Sequence, residues 1–109
     1  MKGWGTSIQN LQGERLCMGW ITDYELSAGY LFEGEIISSK DSGGYPDEYT
    51  ITVKSLRAFC ADPKRYSGLT KNIFGSWDFS QPFDPQLVLD AINELSDDDQ
   101  VVIIEFDQD

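Results

Sequence analysis

Residues 84–107 read DPQLVLDAINELSDDDQVVIIEFD, and the fold turns on how this stretch is read. Asp84 stands where a helix N-cap belongs, and Pro85 occupies the first helical position, where its missing amide proton costs nothing. Phe83 and Val88 are spaced to close a hydrophobic staple across that cap. Leu87, Val88, Ala91, Ile92 and Leu95 recur at helical spacing as an apolar stripe, with Asp90, Asn93 and Glu94 opposite. The spacing predicts a helix over about 84–96. Past Asp97, Asp98 and Asp99 the pattern changes. QVVIIEF is a β-branched run of strand length, which predicts a strand over about 100–106 buried on both faces.

Working outward, NIFGSWDF (72–79) reads as another strand, so that strand, helix and strand over 72–106 would form a crossover unit. EYTITVK (48–54) alternates, with Tyr49, Ile51 and Val53 on one face and Thr50, Thr52 and Lys54 on the other. YLFEGEIIS (30–38) is its expected partner across the turn-rich SKDSGGYPDE (39–48), and RLCMGWIT (15–22) is a third strand. SLRAFCADPKRYSGL (55–69) fits either a short helix or a strand running into a loop. There is no internal repeat, low-complexity segment or linker. The expected architecture is α+β: a mostly antiparallel, twisted sheet with one main C-terminal helix packed on a face.

At 109 residues the chain is expected to form a single domain spanning 1–109. Nineteen acids against eight bases give a net charge of −11, the wrong sign for binding nucleic acid or an anionic membrane. The 14 aromatics and 40% apolar residues argue for folding rather than charge-driven disorder. The charge is unevenly placed. Residues 1–54 sum to −4 and 55–71 to +3, whereas 72–109 hold ten acids and no base. Such asymmetry points to an interaction face. No signal-peptide-like run opens the chain and no segment is long enough to span a membrane, so a cytoplasmic protein is expected, with Cys17 and Cys60 as buried free thiols.

The residues offer little chemistry. Without histidine there is neither the commonest general base nor a His-dependent zinc site, and two distant cysteines build no thiolate cluster. DSGGYPDE lacks the lysine of a phosphate loop, and DDDQVV lacks the spacing of a calcium loop. Glu33 with Glu35, and Asp23 with Glu25, would share strand faces and could tune one another's pKa, although solvated outer-face acids are common on sheets. A protein that is not an enzyme, with no cofactor and no metal, is expected.

The aspartate run is the anomaly. Helix C-termini favour cations, so Glu94, Asp97, Asp98 and Asp99 each cost about 0.3–1 kcal/mol at low salt, and the nearest base in sequence is Lys71. Replacing the three aspartates by asparagine is therefore expected to raise stability. FGSWDFSQPF (74–83) interleaves Phe74, Trp77, Phe79 and Phe83 with Asp78, the mixture of rings and charge found in binding hot spots and also in cores. In size, acidity, SDDDQ and GSWDF the chain resembles the immunity proteins that bacteria make against their own secreted toxins. These include those of contact-dependent growth inhibition and, more loosely, barstar-like ribonuclease inhibitors, from whose helical layout the β-rich first half departs. The resemblance implies a toxin inhibitor that binds and neutralises a basic nuclease, with carboxylates in place of substrate phosphates. It also implies a monomer entering a heterodimer, with no direct contact to nucleic acid or membrane. The partner-binding candidates are then Trp77, Asp78, Asp97, Asp98, Asp99 and Asp107, with Asp109 extending the field. The alternatives are a phage-type acidic nucleic-acid mimic that inhibits a host defence complex, or a generic protein-interaction module whose charge serves solubility.

Overall fold

The computed structural model describes residues 4–21, 27–40, 47–62 and 84–107. Along these run β1 (Trp4–Asn10), β2 (Arg15–Ile21), α1 (Ala28–Leu31), β3 (Ser38–Lys40), β4 (Asp47–Thr52), α2 (Val53–Ala61), α3 (Pro85–Ala91) and β5 (Gln100–Asp107). The five strands form one sheet in the order β2-β1-β5-β4-β3, and every neighbouring pair is antiparallel. The fold is α+β, with the C-terminal strand inside the sheet.

β5 is the central strand, paired with β1 from Trp4↔Asp107 to Asn10↔Val101 and with β4 from Asp47↔Glu105 to Thr52↔Gln100. This position accounts for its solid apolar run. Val101 and Ile103 are fully buried on the face that carries α2 and α3, while Val102, Ile104 and Phe106 on the other face are half-buried. On the core face they join Ile8, Ile51, Val53, Leu56, Val88 and Ile92, with Phe32 and Phe59 stacked at a ring separation of 5.1 Å and a tilt of 48°. Both cysteines lie in this cluster and are not joined by a disulfide.

The helix start at Asp84 is as expected: its side chain accepts from the Gln86 amide at 3.0 Å, with Pro85 next. Phe83, the other half of the expected staple, lies outside the described residues, as do NIFGSWDF and hence the crossover unit. The helix itself is shorter than expected. It ends at Ala91, because the Ile92 amide splits between the carbonyls of Val88 (3.2 Å) and Leu89 (3.3 Å) and the chain tightens into turns. Leu87, expected in the core stripe, is 44% exposed, and Leu89 packs inward instead.

Nor is it the one main helix. The nine-residue α2 shares the same face, and its start overturns the last residues of the EYTITVK strand. Val53 and Lys54 are its first two residues, because Thr52 caps it, accepting from the Ser55 amide at 3.1 Å. The strand expected at YLFEGEIIS is likewise displaced. Ala28–Leu31 is a helical turn capped by Ser27, Gly34 adopts φ +85° in the turn that follows, and only Ser38–Lys40 pairs with β4. β2 stands where expected; β1 was not anticipated at all.

Truncating the centre of this core tests the assignment. Ile103→Ala should cost about 2–5 kcal/mol in urea unfolding with an unchanged slope. Leu87→Ala, at a solvated position, should change stability by less than about 0.5 kcal/mol.

Candidate functional site

The first turn of α2 presents amides that need acceptors. Thr52 supplies one. The other two are met from across the fold: Val53 N donates to Asp99 O (2.8 Å) and Lys54 N to Asp97 O (3.2 Å). The turn that provides these carbonyls is braced internally, with Ser96 N donating to Asp99 Oδ2 at 2.9 Å and Asp99 N to Ser96 O at 3.0 Å. The aspartate run therefore follows the C-terminus of α3 in sequence but sits on the N-terminus of α2 in space, where negative charge is favoured.

The cation missing from α3 also comes from α2. Arg57 donates to Asp97 Oδ1 at 2.6 Å, to Ile92 O at 3.1 Å and to Leu95 O. It thus serves the Leu95 carbonyl and adds a second donor to Ile92 O, which also accepts from Leu95 N at 3.0 Å, while pairing with the acid beside them. Nothing local in the sequence announced this, since Arg57 and Asp97 are 40 residues apart. The expected gain in stability from neutralising all three aspartates is accordingly withdrawn for Asp97 and Asp99, both of which bond within the fold. Asp98 differs: it is exposed and makes no hydrogen bond or ion pair among the described residues. Glu94 and Lys54 are also exposed here, so four acids against Lys54 and Arg57 leave this corner two charges negative.

The other sequence-predicted residues do not gather here. Trp77, Asp78 and Asp109 lie outside the described residues. Asp107 ends β5 opposite Trp4, and at about 3.3 Å per residue the eight-residue strand separates it from the Gln100 end by about 23 Å. Next to Asp99 the β1–β2 turn comes close, and between the two turns lies a pocket of about 110 Å³ lined by Asn10, Leu11, Gln12, Leu95, Asp99 and Gln100. Sequence reasoning missed this contribution from the N-terminal hairpin, although a leucine at the tip of a polar turn was its one visible sign.

A second acidic group was also missed. Thr6, Glu105 and Asp47 sit side by side on β1, β5 and β4, at the far end of the core face. Glu105 is 4% exposed and accepts from Ala28 N (2.7 Å) and from Ser27 Oγ (2.9 and 3.2 Å). Burial pushes its carboxyl above the ordinary range and the Asp47 charge adds to this, while the Ala28 amide and Ser27 hydroxyl pull the other way. With its oxygens committed to the start of α1, Glu105 is a capping group. The pairs expected on strands are not there: Glu33 and Glu35 occupy the turn after α1, and Asp23 and Glu25 lie outside the described residues. Burial, with a smaller contribution from Cys17, pushes the Cys60 thiol up to about 12, so it stays protonated. Among the described residues, no group of three or more His, Cys, Asp or Glu is placed to hold a metal, and no helix is long and apolar enough to cross a membrane. Comparison with protein-family models, curated proteins and solved structures finds no match.

Arg57→Met should cost about 1–3 kcal/mol, because it removes the donor to Leu95 O, one of the two donors to Ile92 O and the ion pair with Asp97. Asp97→Asn should cost at most about 1 kcal/mol for a largely exposed pair, and Asp98→Asn less than about 0.5 kcal/mol. A double-mutant cycle of Arg57 with Asp97 measures the pair directly, and an Asp97→Asn loss as large as that of Arg57→Met contradicts the assignment. For Glu105 the folded pKa is raised, so its contribution is fully present below the unfolded value of 4.5 and is lost as pH rises through the folded value. Across that window, Glu105→Gln should gain stability relative to the parent as pH rises. A pH-independent difference between the two proteins is the contrary result.

Proposed function

We propose that this chain is an acidic protein-binding domain of the toxin-immunity type, which neutralises a basic nuclease by covering its substrate site with carboxylates. The observation that carries this reading is the base-free tract 72–109, whose ten acids include an exposed aspartate turn held rigid by its hydrogen bonds to α2. A preorganised charged surface loses little freedom on binding, so more of the contact energy appears as affinity. Asp98 is the carboxylate most available to a partner; Asp97 and Asp99 shape the turn that displays it. Trp77 and Asp78 remain proposed anchors on sequence grounds, and Asp107 contributes to the field from the far end of β5. The protein would act in the cytoplasm without catalysis of its own, a reading supported by the lack of histidine and the protonated Cys60.

Affinity capture from the source lysate, followed by reconstitution with the purified partner, tests the proposal. The expected partner is strongly basic, and its nuclease activity should disappear at equimolar addition of this chain. Raising salt from about 50 to about 500 mM should slow association at least about tenfold, because screening shortens the reach of the field. An association rate insensitive to salt, or a partner whose activity is untouched, contradicts the reading and leaves a generic interaction module.

A further inference from the structure

Two braced turns meet at the Gln100 end of the sheet. In the β1–β2 turn, Asn10 Oδ1 accepts from the amides of Gln12 (3.0 Å) and Glu14 (2.9 Å), Asn10 N donates to Glu14 O (3.0 Å), and Gly13 closes the bend at φ +88°. The 96–99 turn is fixed against α2. The pocket between them, at about 110 Å³, is far below the roughly 300–1,000 Å³ that small-molecule sites occupy, and accommodates a single long side chain. Two of its walls are Leu11 and Leu95, and Asp99 lines it with the unengaged Asp98 next in the chain. Leu11 is 61% exposed, the most exposed large apolar side chain among the described residues. An apolar wall beside carboxylates matches the two halves of a lysine or arginine side chain, a hydrocarbon stem that packs and a cation that stays at the wet rim.

The geometry points to this pocket as the anchor for one Lys or Arg side chain projecting from a loop of a basic protein partner. The inference rests on the acidic-recognition reading and adds to it a place and a shape. Leu11 supplies packing area, the local charge surplus supplies attraction, and the two bonded turns keep the cleft open before the partner arrives. Neither Asp97 nor Arg57 is needed at the contact, since they neutralise each other.

The probe is an acetylated tetra-arginine peptide, titrated into the ¹⁵N-labelled full chain at low salt, with the isosteric uncharged tetra-citrulline peptide alongside. Saturable amide shifts are expected around Asn10, Leu11, Gln12, Leu95 and residues 98–100 with arginine, and none with citrulline. Leu11→Ser and Asp98→Asn should each weaken arginine-peptide binding at least about threefold, while Ile37→Ser and Glu33→Gln, an exposed apolar and an exposed acidic position elsewhere, should not. Shifts centred instead on Asp47 and Glu48, or binding indifferent to Leu11→Ser, overturn the pocket. If the captured partner nevertheless binds with strong salt dependence, the functional reading survives that loss. A peptide that fills the pocket while partner association ignores salt has the opposite meaning. A dimer of this chain that Leu11→Ser dissociates assigns the surface to a second copy and also overturns the inference.

Discussion

The amides of Val53 and Lys54 have no acceptors of their own, and the structure depends on where they find them. α2 begins at the residue after β4 ends, with Thr52 serving both as the last strand residue and as the cap. With no loop to absorb a mismatch, the start of α2 is satisfied by whatever lies beside the end of β4. That neighbour is the turn entering β5. Thr52↔Gln100 is the last rung of the β4–β5 ladder, and the Val53 and Lys54 bonds continue the contact past it. From the same helix Arg57 reaches back to Ile92, Leu95 and Asp97. One joint thus ties β4, α2, α3 and β5 together, and it also holds β5 in register. A slip of one residue would carry Val101 and Ile103 off the core face and put Val102 and Ile104 there.

Glu105 obeys the same logic at the other end of β5. It is the one charged residue within the run of valine, isoleucine and phenylalanine from Val101 to Phe106, and it stands where Ser27 and Ala28 need an acceptor. In both places an acid that looks misplaced in its own segment serves the start of a helix from another segment. Solvent separates the two cases. The aspartate turn is exposed, whereas Glu105 is enclosed beside Asp47 and burial pushes its carboxyl above the ordinary range. Thr6, opposite Glu105, is fully buried and its hydroxyl has no hydrogen-bond partner among the described residues, which adds a polar desolvation cost at this end of the core.

These placements mark the boundary of what the sequence can convey. Asp84–Pro85, the β5 run and the β2 segment were legible because cap, propensity and periodicity are local. β4 was legible as far as Thr52, but Val53 and Lys54 prolong its alternation so naturally that the helix start disappears into the strand pattern. β1 was invisible for the opposite reason: WGTSIQN lacks apolar alternation, and Thr6 and Ser7 are buried only because β2 and β5 flank the strand. The aspartates stand out in sequence as an electrostatic anomaly, which Arg57 resolves from 40 residues away, and no local rule couples residues so far apart. Leu11 could be noticed from sequence only as an odd residue in a turn, and its relation to Asp99 required the fold.

The distribution of roles within the run also changes what the acidity can do. The fold uses the carbonyls of Asp97 and Asp99 and both of their side chains, so these residues would be retained with or without a partner. A solvated aspartate such as Asp98 costs little in a turn and needs no function to explain it. The case for recognition therefore lies in the charge tract as a whole and in the pocket beside it, and these act over different ranges. At about 0.1 M salt the screening length is about 10 Å, less than half the roughly 23 Å between the ends of β5. The two ends of β5 are consequently screened from one another, so a charged partner would sense only the end it approaches. Steering at that ionic strength is governed by the acids close to the approaching cation. A partner drawn to the Gln100 end would meet a surface whose turns are already bonded in place, with exposed Asp98, Glu94 and Leu11 open to contact among the described residues.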